Sequence, residues 1–136
     1  MAGRFEIRRA LIGSGGMCHA TDFRSYPGLP GVITIPTKGL DYGLSLEELQ
    51  RRASEFNPID NLAPLAKAGV KILHIHGDED TLVSTNANSI ELIRRYRELG
   101  GDGQLVLIPG LPKEKRGHDG PELYNSPALL KFLLAD

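Results

Sequence analysis

Residues 70–84 read "VKILHIHGDEDTLVS" and carry the sharpest structural signal in the chain. From Val70 to His76, β-branched and aliphatic residues run straight into a turn at Gly77, which predicts a strand. The segments on either side predict helices. Upstream, "DNLAPLAKAG" (60–69) opens on Asp60 as N-cap, sets Leu62 and Leu65 on one side and closes on Gly69 as the C′ residue. Downstream, "STNANSIELIRRYRELGG" (84–101) has Ser84 or Thr85 as cap and Gly100 as stop. Ile90, Ile93 and Tyr96 give it an apolar face, with Glu91 and Arg95 paired on the outside. "QLVLIPG" (104–110) predicts the next strand, and Ser126-Pro127 opens a last helix, "ALLKFLL" (128–134). Strand alternating with helix argues for a parallel sheet covered by helices, an α/β fold.

The N-terminal part is less regular. "IRRALIG" (7–13) predicts a short strand, bringing the sheet to about three parallel strands. Residues 19–43 contain Pro27, Pro30 and Pro36 and read as irregular connection, with "VITIP" (32–36) as a small strand inside it. Ser45 and Glu48 form a capping box that opens a helix to about Phe56, where Asn57-Pro58 stops it.

The chain has 136 residues, enough for one domain with a real core and too few for two. Within that single domain, 1–136, a strand and an irregular, cap-like connection occupy 1–43, and the α/β portion occupies 44–136. Sixteen Lys and Arg against 17 Asp and Glu leave a formal net charge of −1 and no basic block, so nothing points to nucleic acid. No apolar run approaches the roughly 18 residues of a membrane span. Arg4, Arg8 and Arg9 precede too short an apolar run to make a secretory signal. Cys18 is the only cysteine, which excludes an internal disulfide and a cysteine-based zinc site. A lone thiol fits a reducing compartment, so the cytoplasm is the default expectation, with secretion if a signal precedes Met1.

In an open parallel sheet, ligands bind beyond the carboxyl ends of the strands. Two loops leave from such ends, "GDEDTLVS" (77–84) and "PGLPKEKRGHDGPE" (109–122). Asp78, Glu79, Asp80 and His118 therefore reach one edge of the sheet although they are far apart in sequence. An acid that orients a histidine, which takes a proton from a nucleophile, is the arrangement used for acyl transfer. The competing reading makes the acids a solvated turn and leaves His118 in a surface loop.

These residues also carry a family resemblance. "NPIDNLAPLAKAGVKILHIHGDEDTLVSTNANSIELIRRYRELGG" (57–101) resembles bacterial esterase-like and prolyl-oligopeptidase-like members of the α/β-hydrolase superfamily. "GHDGPELYNSPALLKFLL" (117–134) resembles their histidine loop and final helix. By position, Asp80 matches the triad acid, His118 matches the triad base, and Asp78 is a turn residue. The resemblance implies a partial α/β-hydrolase fold holding the last strands of a larger sheet, and a serine esterase or peptidase chemistry on a small ester or amide substrate without a cofactor. Two departures stand out. Ser84 occupies a position where the family usually has proline, and "LPKEKR" (111–116) intervenes before the histidine.

The superfamily's nucleophile sits in G-x-S-x-G on a sharp strand-to-helix turn. Ser14, in "ALIGSGGMC" (10–18), precedes Asp80 and His118 in the right order. Ile12, however, stands where that turn needs a small residue, and "MCHATDFRSYPGLPG" (17–31) is poor helix. Cys18 next to His19 is weaker still, because adjacent side chains on a strand point to opposite faces. The resemblance instead aligns residues 10–28 with the strand after the nucleophile helix, which places the nucleophile before residue 1. On that reading the chain is the C-terminal portion of a hydrolase, an acid and a base with no serine to activate. Its first strand then has an open edge, inviting self-association or a partner chain. An inactive hydrolase module kept for binding or assembly is the alternative.

His74, His76 and Asp78 form H-x-H-x-D, which resembles the start of a metallo-β-lactamase-type ligand set. Residues 74 and 76 share a strand face, as chelation requires. That pattern continues with His where this chain has Glu79, and only His19 and His118 remain to complete a shell. The favoured reading makes His74 and His76 buried strand residues with satisfied hydrogen bonds, and no metal is expected.

Overall fold

The computed structural model of the protein describes residues 7–13, 43–81, 83–113 and 117–135. The apolar run after Val70 forms β2 (Lys71–Gly77), which lies between β1 (Arg9–Ile12) and β3 (Gly103–Ile108). Both pairings are parallel, with Ile12 opposite His74 and His74 opposite Leu105. The three-stranded parallel sheet is flanked by helices, so the α/β expectation stands.

Between β1 and β2 lie α1 (Leu46–Arg51), α2 (Ala53–Phe56), a 3-10 turn (Pro58–Asp60) and α3 (Ala63–Lys67). A π turn (Asn86–Ile90) leads into α4 (Glu91–Glu98), and β3 is followed by α5 (Pro121–Tyr124) and α6 (Pro127–Leu134). Alternation along β2 sends its side chains to two separate cores. Val70 and Ile72 join Ile59, Leu62, Leu92, Ile93 and Tyr96 on the α3 and α4 side. Leu73 and Ile75 join Leu111, Leu123 and Phe132 on the α5 and α6 side. A strand covered on both faces reads as a continuous apolar run, which is why this one was visible in the sequence.

Several local signals are realised. The Ser45 hydroxyl accepts from the Glu48 N–H and the Glu48 carboxylate accepts from the Ser45 N–H, both at 3.2 Å. The helix they open breaks at Arg52 before resuming as α2. Gly69 takes φ +66° after α3, and the Val70 N–H reaches back to the Leu65 carbonyl. Asp60 differs from expectation. It ends the 3-10 turn instead of capping a helix, and its carboxylate accepts from Asn57 Nδ2 and from Arg95.

The helix after β2 also differs in its first turn. The Ile90 N–H bonds to the Thr85 carbonyl, one residue further back than in an α-helix. This extra residue turns Ser89 inward, where it is fully buried, and leaves Ile90 37 % exposed. Ile93 and Tyr96 keep their places in the core, joined by Leu92.

Ser14, Cys18, His19 and the "VITIP" strand lie outside the described residues. Among the described residues, no helix is long and apolar enough to cross a membrane.

Candidate active site

The loops after β2 and β3 leave the same edge of the sheet, as parallel pairing requires, and two glycines let them touch. A Cβ on Gly77 would overlap the carbonyl oxygen of Gly117, and one on Gly117 would lie 2.7 Å from the carbonyl oxygen of Glu79. Gly117 also has φ +68°, a conformation that side chains disfavour. The inserted "LPKEKR" stretch does not keep the histidine away. Leu111 anchors its start in the core, and the Gly117 N–H bonds back to the Pro112 carbonyl at 3.1 Å. The next residue is His118.

The β2 loop is bound as tightly. The Asp78 N–H continues the ladder to the Ile108 carbonyl, and the Asp80 N–H closes a turn onto the Gly77 carbonyl. Asp78 and Glu79 point outward, while Asp80 turns in. Its Oδ1 accepts from the Val83 N–H at 2.8 Å. Its Oδ2 meets His118 Nδ1 at 2.8 Å and His76 Nε2 at 2.9 Å.

The structure thus joins Asp80 and His118 across 38 residues of sequence. The carboxylate is fully buried, whereas the imidazole is 27 % exposed. His118 Nε2 has no hydrogen-bond partner among the described residues. A carboxylate that accepts from Nδ1–H fixes the tautomer and leaves a lone pair on Nε2. Such an arrangement can take a proton from an incoming group and stabilise the resulting imidazolium.

Sequence reasoning missed the second half of this network. His76 Nδ1 lies 2.9 Å from Ser89 Oγ, and the Thr85 carbonyl lies 3.3 Å from the same oxygen. The hydroxyl has one proton, and the shorter contact, to His76 Nδ1, takes it. No local signal marked Ser89, because the apolar spacing points to Ile90 and only the π turn brings the serine inward in its place.

His74 departs from the expectation of satisfied hydrogen bonds. It is fully buried, and neither ring nitrogen has a partner among the described residues. Burial lowers its pKa from 6.5 to about 4, with a smaller push from neighbouring His76. The His74 and His76 rings stack with centroids 5.5 Å apart. The H-x-H-x-D pattern does not converge. His76 has both nitrogens engaged, Asp78 faces solvent, and no group of three or more metal-ligating side chains is placed for a metal among the described residues.

Comparison with known proteins gave no match, whether with family models, curated proteins or solved structures.

Proposed function

We propose that Asp80 and His118 are the acid and the general base of an α/β-hydrolase-type acyl hydrolase that cleaves an ester or amide bond. The nucleophilic serine comes from outside the described residues. One observation carries this reading: a fully buried carboxylate holds Nδ1 of a partly exposed histidine at 2.8 Å, at the carboxyl edge of a parallel sheet. In the step it supports, the serine hydroxyl attacks the carbonyl carbon while His118 Nε2 takes its proton. His118 then returns that proton to the departing alcohol or amine, and Asp80 keeps the ring in one tautomer throughout.

Labelling with a fluorophosphonate, followed by mass spectrometry, tests the proposal and identifies the serine. Hydrolysis of p-nitrophenyl acetate is expected to fall by about 10³-fold or more in His118→Ala and in Asp80→Asn. An unchanged rate in His118→Ala removes the histidine from the mechanism. Labelling of Ser14, lost in Ser14→Ala, would make this chain its own source of the nucleophile.

A second reading, a hydrolase-like module used for binding or assembly, has an observation of its own. Among the described residues no hydroxyl reaches His118 Nε2, and β1 is paired along one edge only, with Leu11 42 % exposed. An exposed edge offers unpaired backbone groups to another strand. Absence of labelling together with concentration-dependent association in sedimentation velocity would favour it.

A further inference from the structure

Asp80 Oδ2 is shared. It lies 2.8 Å from His118 Nδ1 and 2.9 Å from His76 Nε2, so two imidazoles compete for one carboxylate oxygen. A carboxylate only accepts, which puts a proton on both of those nitrogens. The other nitrogen of His76, Nδ1, then takes the Ser89 hydroxyl at 2.9 Å. We propose that His76 is a positioning residue for the Asp80–His118 pair: it holds the carboxylate from behind, in a tautomer set by Ser89, and divides the charge that His118 receives. This inference rests on the proposed role of His118 as a base.

The chain Ser89–His76–Asp80 has the connectivity of a catalytic triad but cannot act as one. Ser89 and His76 are fully buried, so no substrate carbonyl reaches the hydroxyl. The serine is also held at Nδ1 and the acid at Nε2, the reverse of the arrangement that leaves Nε2 for a nucleophile. What remains for this arm is to orient. Asp80 hangs on a turn, and the Val83 N–H fixes its Oδ1. The β2 strand, paired along both edges, fixes Oδ2 through His76.

Among the described residues, the titratable groups around His76 are His74 on its own strand, Asp80 in the following loop and, through Asp80, His118. The π turn presents Ser89, and β3 places Leu107 in register opposite. His74 brings no charge near neutral pH, because burial disfavours its protonated form. Whatever charge His118 senses through this network is therefore carried by Asp80 and modulated by the His76 N–H. Removing that N–H concentrates the carboxylate's charge on His118 and makes the imidazolium easier to form.

Nitrogen-15 NMR of the histidine-labelled full chain across pH 5–9 tests this without any catalytic readout, so its failure is distinguishable from a failure of the hydrolase reading. In the unaltered protein, His76 is expected as the Nε2–H tautomer, and its ring shifts should inflect at the midpoint of the His118 titration. An Nδ1–H tautomer, or no inflection, overturns the proposal. In His76→Leu the His118 midpoint is expected to rise by about half a pH unit or more. His76→Gln places an amide donor near Oδ2, and it should hold the midpoint close to that of the unaltered protein. A midpoint in His76→Leu that stays or falls would also overturn the proposal. If His76→Leu fails to fold, the tautomer and the inflection decide.

Discussion

His74 shows how one side chain can tie stability to pH without taking part in chemistry. Its two ring nitrogens have no partner among the described residues, and burial depresses its pKa from 6.5 to about 4. The unfolded chain therefore binds a proton at higher pH than the folded one does. Stability is fully present above about pH 6.5 and is lost as the pH falls toward 4, by on the order of 3 kcal/mol over the whole window. His74→Leu removes both the titration and the unpaired polar atoms, so it should keep or raise stability at pH 7. Urea unfolding at pH 7 and at pH 5 checks this, with a smaller loss between the two in His74→Leu than in the parent. An equal loss would place the titration elsewhere. The neighbouring residue two positions on, His76, is equally buried but fully engaged, which a reading of H-x-H as a pair of equivalent positions does not anticipate.

At the scale of elements, two contacts decide whether the site assembles. Gly77 and Gly117 permit backbone to meet backbone where the β2 and β3 loops cross. Gly117→Ala adds a Cβ at φ +68° and 2.7 Å from the Glu79 carbonyl, and is expected to destabilise by about 2 kcal/mol. It should also separate His118 from Asp80, seen as loss of the downfield Nδ1–H signal by NMR. The second contact ties α4 to the sheet. Tyr96 is fully buried against Ile93 and Ile72, and its hydroxyl donates to the Val70 carbonyl. Tyr96→Phe strands that carbonyl and should cost about 1 kcal/mol, measured by urea unfolding. Both glycine turns and apolar faces can be read from sequence, because each depends on neighbours a few residues away. The π turn cannot be read in this way. It exchanges Ile90 for Ser89 on the buried side, and that exchange is what brings a hydroxyl to His76.

In the molecule as a whole, the sheet separates two cores of different use. The α3 and α4 side continues past Ile72 into His74, His76 and Ser89, so its apolar packing grades into the polar network. The α5 and α6 side is an apolar cluster, which α6 joins through buried Phe132 with the partly buried Leu129 packed beside it. Phe132→Ala should lower stability by about 3–4 kcal/mol. Leu134, 79 % exposed on the same helix, should change it by no more than about 0.5 kcal/mol when replaced by Ala. Equal effects at the two positions would mean that α6 packs through a different face.

Local chemistry in the sequence accounts for the three strands, the helix stops at Gly69 and Gly100, and the arrival of Asp80 and His118 at one edge of a parallel sheet. Each follows from an apolar run, a glycine or a capping residue acting over one or two turns of chain, and from the direction that parallel pairing imposes. The tertiary structure alone decides that Asp80 turns inward while Asp78 and Glu79 do not. It alone decides that one carboxylate oxygen serves two histidines, and that His74 is left without a partner. Hydrogen bonds of 2.8 and 2.9 Å between residues 80, 118 and 76 depend on loops docked to within a fraction of an ångström. That docking is set by contacts across 38 residues of chain, which no local pattern encodes.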